Sequence, residues 1–439
     1  MSILNILLSA TLLFGAGFSF LQLFSVFRKS SIIEILSISY GIGVALISFQ
    51  LLIYDLLGIK WNIAWIILPW ILVFAFVLYK VPFKKLFSFS IVKFDAFEKI
   101  VLLLIILLLC YVGLESILRP LSAWDGWATW LFKSTIFFTD GKINTNALNF
   151  TGSEYPLLIG LMGTFGYLML GHIDDKLILI LFYLFYVCLA GIFYYTCKEL
   201  TNKKTALIST FLLLSLQNLI RHGGRYDAGM ADLALGYYYF VCCSLFLKFI
   251  KFKNKNSFVL FMFMTGLLGL VKDDGIPMTL FLCIVGAVSL YSIKKLSYLW
   301  MLSFPIIILG QWELFKLVFH MPGAPKFIQN PEFNRTITVI LGISKEFLNL
   351  ENWNLLWIGF FLSLIILLIK KHKIGLIISL FVISQLLVYY YVFLSTSLDP
   401  LAHINNVIDR LLLHIAPVAM LVVSIPLYLL SKSYKNTKL

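Results

Sequence analysis

The chain has 439 residues, of which 61% are hydrophobic and 13% charged, with a mean hydropathy of +0.95. Its apolar residues come in blocks of about twenty, the length that spans a bilayer, which excludes a soluble globular domain. The blocks do not alternate polar and apolar, which excludes a β-barrel, and the net charge of +14 sits mostly in short lysine clusters between blocks rather than on a face for nucleic acid.

In chain order, helices are expected at roughly 3–27, 33–57, 61–79, 100–118, 176–197, 205–221, 228–250, 257–271, 275–292, 297–319, 353–370, 374–394 and 411–430. This describes an all-α polytopic membrane protein of about thirteen transmembrane helices with no separate soluble domain. The first segment lacks a basic start, so it is expected to be a retained helix and not a cleaved signal. The six cysteines lie in or at the end of apolar helices without metal-type spacing. Basic clusters at Arg28/Lys29, Lys80–Lys93, Lys203/Lys204, Lys248–Lys255, Lys294/Lys295, Lys370–Lys373 and Lys432–Lys438 mark one side. Placing them all in the cytoplasm puts the loop 119–155 outside. The count closes only if 156–171 is not a full crossing, so that block is expected to be short, re-entrant or interfacial, with Pro156 in its first turn. The expected division is 1–99 as N-terminal helices, 100–430 as a catalytic membrane module and 431–439 as a cytoplasmic basic tail.

Chemistry gathers in the outer segments. Trp124, Trp127 and Trp130 surround Asp125, and Trp127, Trp130, Leu131 and Ser134 recur at helical spacing. An amphipathic helix lying on the membrane surface is expected there, its indoles at headgroup level. A carboxylate beside the hydrocarbon boundary loses hydration and becomes a stronger proton acceptor once ionised; it also caps helices well, and both readings of Asp125 stand. Lys133 follows it. Glu154 and Tyr155 close the same loop, either as anchors of a helix start or as contacts to the substrate of Asp125.

Arg221, His222, Arg225, Asp227 and Asp232 form a helix–helix junction around Gly223 and Gly224. Two arginines there match a lipid phosphate, and an internal pairing of Arg225 with Asp227 or Asp232 is the alternative. Lys272-Asp273-Asp274-Gly275 is a charged break between helices, read either as a plain turn or as a lysine for phosphate beside an acid for sugar hydroxyls. A divalent cation is a candidate cofactor, but an Asp-Asp pair alone supplies too few oxygens for a metal site. His403, Asp409, Arg410 and His414 precede and enter the last helix, with Arg410 and His414 one turn apart. His320 and His372 are expected to be bystanders.

An outer loop with an acid in an aromatic setting, closed by a Tyr-Pro helix start, resembles the GT-C glycosyltransferases, most of all the protein mannosyltransferase and aminoarabinose transferase group. Arg225-Tyr226-Asp227-Ala228-Gly229-Met230-Ala231-Asp232-Leu233 resembles the family's Asp-bearing helix start, Leu270-Val271-Lys272-Asp273-Asp274-Gly275 its lysine–acid–glycine turn, and Asp409 to Pro417 its final Arg-led helix. The resemblance implies a GT-C-like fold and a polyprenyl-phosphate sugar donor bound at the outer face of a bacterial inner (plasma) membrane. It implies Asp125 as base on an acceptor hydroxyl, with Lys272 and Arg410 at the phosphate. Partners would be the lipid-linked donor, membrane lipids and a glycan, lipid or protein acceptor, with no nucleic acid. Glu154 is a second catalytic candidate, and Trp124, Lys133, Tyr155, Arg221, Arg225, Asp227, Asp273 and His403 are binding candidates beside Lys272 and Arg410.

A polysaccharide polymerase or ligase is the competing reading, and it would centre on loop 320–352 with Lys326, Arg335 and Lys345. A transporter would favour charges near the midplane and corresponding halves, neither of which the sequence displays.

Overall fold

The structure, a computed structural model, describes residues 2–24, 30–80, 93–148, 152, 155–321 and 329–436. The described residues are helical throughout, with no strand among them. Among the described residues, ten helices are long and apolar enough to cross a membrane, as expected of a polytopic membrane protein. Three of the thirteen expected spans fall short of that length. Lys255–Val271 and Leu356–Ile369 are shorter apolar helices, and the block 205–221 breaks into Lys203–Leu214 and Gln217–Gly224. At that break the Ser215 hydroxyl turns back to the Leu212 carbonyl (3.0 Å), the local competition with backbone bonding that serine commonly offers. The helix Leu158–Leu170 is itself short, about 20 Å at 1.5 Å per residue, and nearly all of it is buried. Pro156 lies just before it, outside the first turn.

Contacts divide the chain into two units. The first comprises 1–93, 109–192 and 221–323; the second comprises 94–108, 193–220 and 324–439.

In the first unit Ser2–Gln22 packs along Ile32–Leu56 at backbone distance. A Cβ on Gly17 would collide with the Ser39 carbonyl, and one on Gly43 with the Leu13 carbonyl. Small residues allow this approach between membrane helices, where association rests on packing rather than on water release. Ile32–Leu56 also faces Asp232–Phe252, and tyrosine hydroxyls join the two. Tyr237 donates to the Ser37 carbonyl (2.5 Å) and accepts the Gly41 N–H (3.2 Å), while Tyr238 donates to the Gly41 carbonyl (2.6 Å). A tyrosine in apolar surroundings needs such a partner.

The pair runs antiparallel, and its two ends differ in character. At one end Glu34 meets Lys248 at 2.6 Å, both nearly buried. Lys248 is thus half of a buried ion pair and not a plain loop lysine. At the other end Asp55 accepts the Ile143 N–H (3.0 Å). Residues 34 and 55 are about 30 Å apart along the helix. The loop containing Ile143 therefore lies at the opposite end of this unit from the Lys248–Lys255 cluster, as the charge count of the sequence requires.

In the second unit the last helix, Pro400–Asn436, packs against Lys203–Leu214, Thr336–Phe347, Leu356–Ile369 and Lys373–Leu394. It starts eleven residues before the expected 411–430 span, because Asp399 accepts the Ala402 N–H (3.3 Å) and Pro400 takes the first helical position. Asn202 caps Lys203–Leu214 by accepting the Thr205 N–H (2.8 Å), and Lys203 holds Glu98 at 2.6 Å.

The close contact at Gly43 generates a stability prediction. Gly43→Ala should lower stability in detergent by about 1–3 kcal/mol, the usual effect of overpacking, while Gly310→Ala, mid-helix with open space around it, should leave the melting temperature unchanged or slightly raised.

Candidate functional site

The stretch around Asp125 begins with a π-helical turn, Gly126–Trp130, in which the Leu131 N–H donates to the Gly126 carbonyl, and continues as Leu131–Asp140. The wider turn rotates the side chains away from the regular helical stripe expected from the sequence. Trp124 and Trp127 stand exposed at 69% and 47%, their rings edge to face at 4.5 Å, while Trp130, Leu131 and Ser134 are buried. The buried side packs on Leu158–Leu170, where the Ser134 hydroxyl donates to the Gly160 carbonyl (2.8 Å). The segment is thus anchored in the protein, with its first two indoles turned outward. Asp125 occupies the N-cap position, half-buried, in helical backbone geometry, and its side chain makes no capping hydrogen bond. That removes the capping explanation for the residue. Single π-turns of this sort concentrate at functional sites.

Lys133 is fully buried. Its Nζ donates to the Tyr155 carbonyl (2.8 Å) and lies 5.8 and 5.9 Å from the rings of Trp130 and Tyr155, which are themselves 5.3 Å apart. Lys133 therefore ties the helix Leu131–Asp140 to Tyr155 at the close of the loop 119–155, in an interior strut. Glu154 lies outside the described residues.

The strand of chain before Asp125 is seated on the junction 221–232. Ser122 donates to the Tyr226 carbonyl (3.1 Å), and Gly126 lies against the Ala228 carbonyl and the backbone of Gly229. Gly229 has φ +89°, a region glycine enters without strain. In this junction the pairing differs from the one expected. Arg221, and not Arg225, holds Asp227 (2.7 Å), and buried His222 places Nε2 3.8 Å from the same Asp227 oxygen. Arg225 instead reaches Glu115 (Nε to Oε2, 3.5 Å), which also binds Arg119 one turn further along its helix. Both guanidiniums lie over Tyr226, at 4.6 Å for Arg119 and 5.0 Å for Arg225. Glu115 and Arg119 escaped the sequence reading. The available signal was an acid and a base four residues apart at the end of an otherwise uncharged stretch of the helix Ala96–Leu118.

Asp232, at the end of the junction, is fully buried and pairs with Lys272 (2.8 Å), whose Nζ also binds Asp274 (2.8 Å). The lysine–acid–glycine turn is thus tied to the Asp-bearing helix start, and Gly275 passes so close to the Leu268 carbonyl that a side chain there would collide with it. Asp273, next in the turn, is half-buried. The ammonium of Lys272 stands between two carboxylates, the position a divalent cation would take. Two residues before it, Leu270 helps line a small apolar recess that also touches Leu157, Leu158, Gln311 and Trp312.

His403 and Arg410 belong to the second unit. His403 meets the Thr396 hydroxyl (2.9 Å) and sets its ring edge-on to Phe393, and the Arg410 N–H donates to the Asp409 carboxylate (2.8 Å). Both lie on the last helix, seven residues apart on one face.

Compared with known proteins, the chain matches no family model, no curated protein and no solved structure.

The buried position of Asp232 makes Lys272 a stability residue. Lys272→Met strands a carboxylate and should cost about 3–5 kcal/mol, read as a lowered melting temperature in detergent. Asp232→Asn introduced with it should recover part of that loss, whereas a surface role for Lys272 predicts no change in either variant.

Proposed function

We propose that the protein is a membrane glycosyltransferase that moves a sugar from a polyprenyl-phosphate donor to an acceptor hydroxyl at the extracytoplasmic face, with Asp125 as general base. The observation that carries this reading is the seating of the Asp125 loop on the arginine-bearing junction, through Ser122–Tyr226 and Gly126–Ala228. It brings the proposed base and a set of cations to one end of one compact unit, at the tips of apolar helices where a lipid-borne substrate presents its head.

The chemistry follows from that arrangement. Asp125 takes the proton of the acceptor hydroxyl as its oxygen bonds to the anomeric carbon. The bond from that carbon to the phosphate oxygen breaks with its electron pair, leaving polyprenyl phosphate. Attack from the face opposite the phosphate inverts the anomeric centre. A positioned carboxylate contributes about 10²–10⁴-fold, and guanidiniums offset the charge gathering on the departing phosphate. Arg335, on which a polymerase or ligase would draw, is engaged locally instead, binding Glu332 and the Thr396 carbonyl at 2.8 and 2.9 Å.

The test is transfer of radiolabelled sugar from a polyprenyl-phosphate donor in membranes containing the protein. Asp125→Asn should lower the rate about 10²–10⁴-fold with the melting temperature retained, and Arg335→Ala should leave it near the starting value. Full activity in Asp125→Asn, or its loss in Arg335→Ala alone, overturns the assignment.

A further inference from the structure

We infer that Arg119 and Arg225, drawn together over Tyr226, form a binding site for the phosphate of a lipid headgroup on the outer flank of the helix Ala96–Leu118. The inference does not depend on sugar transfer. It starts from charge. Both guanidiniums make their closest approach to the same oxygen of Glu115, so two positive groups share one negative group. They also converge on one aromatic ring, at 4.6 and 5.0 Å. Like charges held this close leave an excess of one positive charge, which favours a second anion.

The geometry of the donors agrees. The Arg225 Nε is buried yet makes no hydrogen bond among the described residues, its 3.5 Å approach to Glu115 being ionic only. An arginine fork fits the paired oxygens of a phosphate, and two forks fit it better than a lysine cluster does. Arginines that merely snorkel would each point separately to water, without converging on a common ring.

The surroundings identify the phosphate as one carried by a lipid. Leu114 and Leu118, one turn apart on the same helix, are 59% and 71% exposed, an apolar track that leads up to the guanidiniums. Tyr111 lies on that helix too, 6.0 Å from Arg225. Just beyond, Ser122 links Tyr226 to the stretch bearing exposed Trp124 and Trp127, indoles suited to headgroup level. A soluble phosphate would have no use for the leucine track.

Two lipids share this chemistry: a bulk anionic phospholipid and a polyprenyl phosphate. Native mass spectrometry of the full-length protein in detergent, titrated separately with phosphatidylglycerol, polyprenyl phosphate and diacylglycerol, distinguishes them. The intact protein should retain phosphate-bearing lipids at least tenfold more tightly than diacylglycerol. A preference for polyprenyl phosphate assigns the site to the donor, and equal retention assigns it to bulk lipid. Arg119→Ala combined with Arg225→Ala should abolish the preference, and Glu115→Gln, which removes the competing carboxylate, should strengthen it severalfold. Loss of binding by misfolding cannot mimic that gain. An unchanged preference in the double variant, or weaker binding in Glu115→Gln, overturns the inference. Asp125→Asn should bind these lipids normally, so failure of the sugar-transfer reading and failure of this site give different results.

Discussion

Withdrawing a charge from water is the costliest thing this chain does, and its architecture follows from how each charge is answered. Only 13% of its residues are charged, and several that enter the interior meet an opposite charge from elsewhere in the chain. Glu34 meets Lys248, Glu98 meets Lys203, and Asp232 meets Lys272. Such pairs add little net stability over a well-packed apolar pair, since desolvation cancels much of the attraction. What they do is forbid alternatives: sliding one helix by a turn would leave a charge alone in hydrocarbon. In the first unit this sets the ends of the antiparallel pair, with Glu34 and Lys248 fixing one end and Asp232 and Lys272 holding the charged turn at the start of Asp232–Phe252.

Close backbone packing then turns these fixed ends into a site. A Cβ on Gly224 would strike the Val112 carbonyl, so the arginine-bearing helix Gln217–Gly224 touches Ala96–Leu118 directly. That contact brings Arg225 within reach of Glu115. Gly126 and Gly229 repeat the device between the Asp125 loop and the junction, and the π-turn that follows lets Trp130 enter the interior while Trp127 remains outside. The Asp125 loop is therefore held to the junction by this approach and by the Ser122–Tyr226 hydrogen bond.

Much of this was legible from residue patterns. Apolar blocks announced the helices, lysine clusters implied that loop 119–155 lies opposite Lys248, and the breaks at 221–232 and 272–275 stood out as charged interruptions. Pairing was not legible, because it is decided by which helices adjoin: Arg225 has Asp227 two residues away yet turns to Glu115, more than a hundred positions earlier. The facing of Trp127 and Trp130 departs from a regular helical stripe, because a single extra residue in one turn undoes it. The early start of the last helix, by contrast, was written in Asp399-Pro400, a cap followed by the residue best suited to the first helical position.

The sign of local charge separates two clusters that looked alike in sequence. Lys272 is already bound by two carboxylates, Asp232 and Asp274. A phosphate approaching that ammonium would have to compete with both of them. Around Glu115 the balance is reversed, two guanidiniums to one carboxylate, beside an apolar helix face and exposed indoles. Electrostatics alone therefore shifts the expected phosphate contact away from Lys272 and toward Arg119 and Arg225, leaving Lys272 to hold Asp232 and Asp274. An acid-rich turn is suited to sugar hydroxyls, which accept and donate hydrogen bonds without charge. On the proposed reading a lipid-linked sugar, which joins a phosphate to hydroxyls, would engage both kinds of cluster at one end of the same unit.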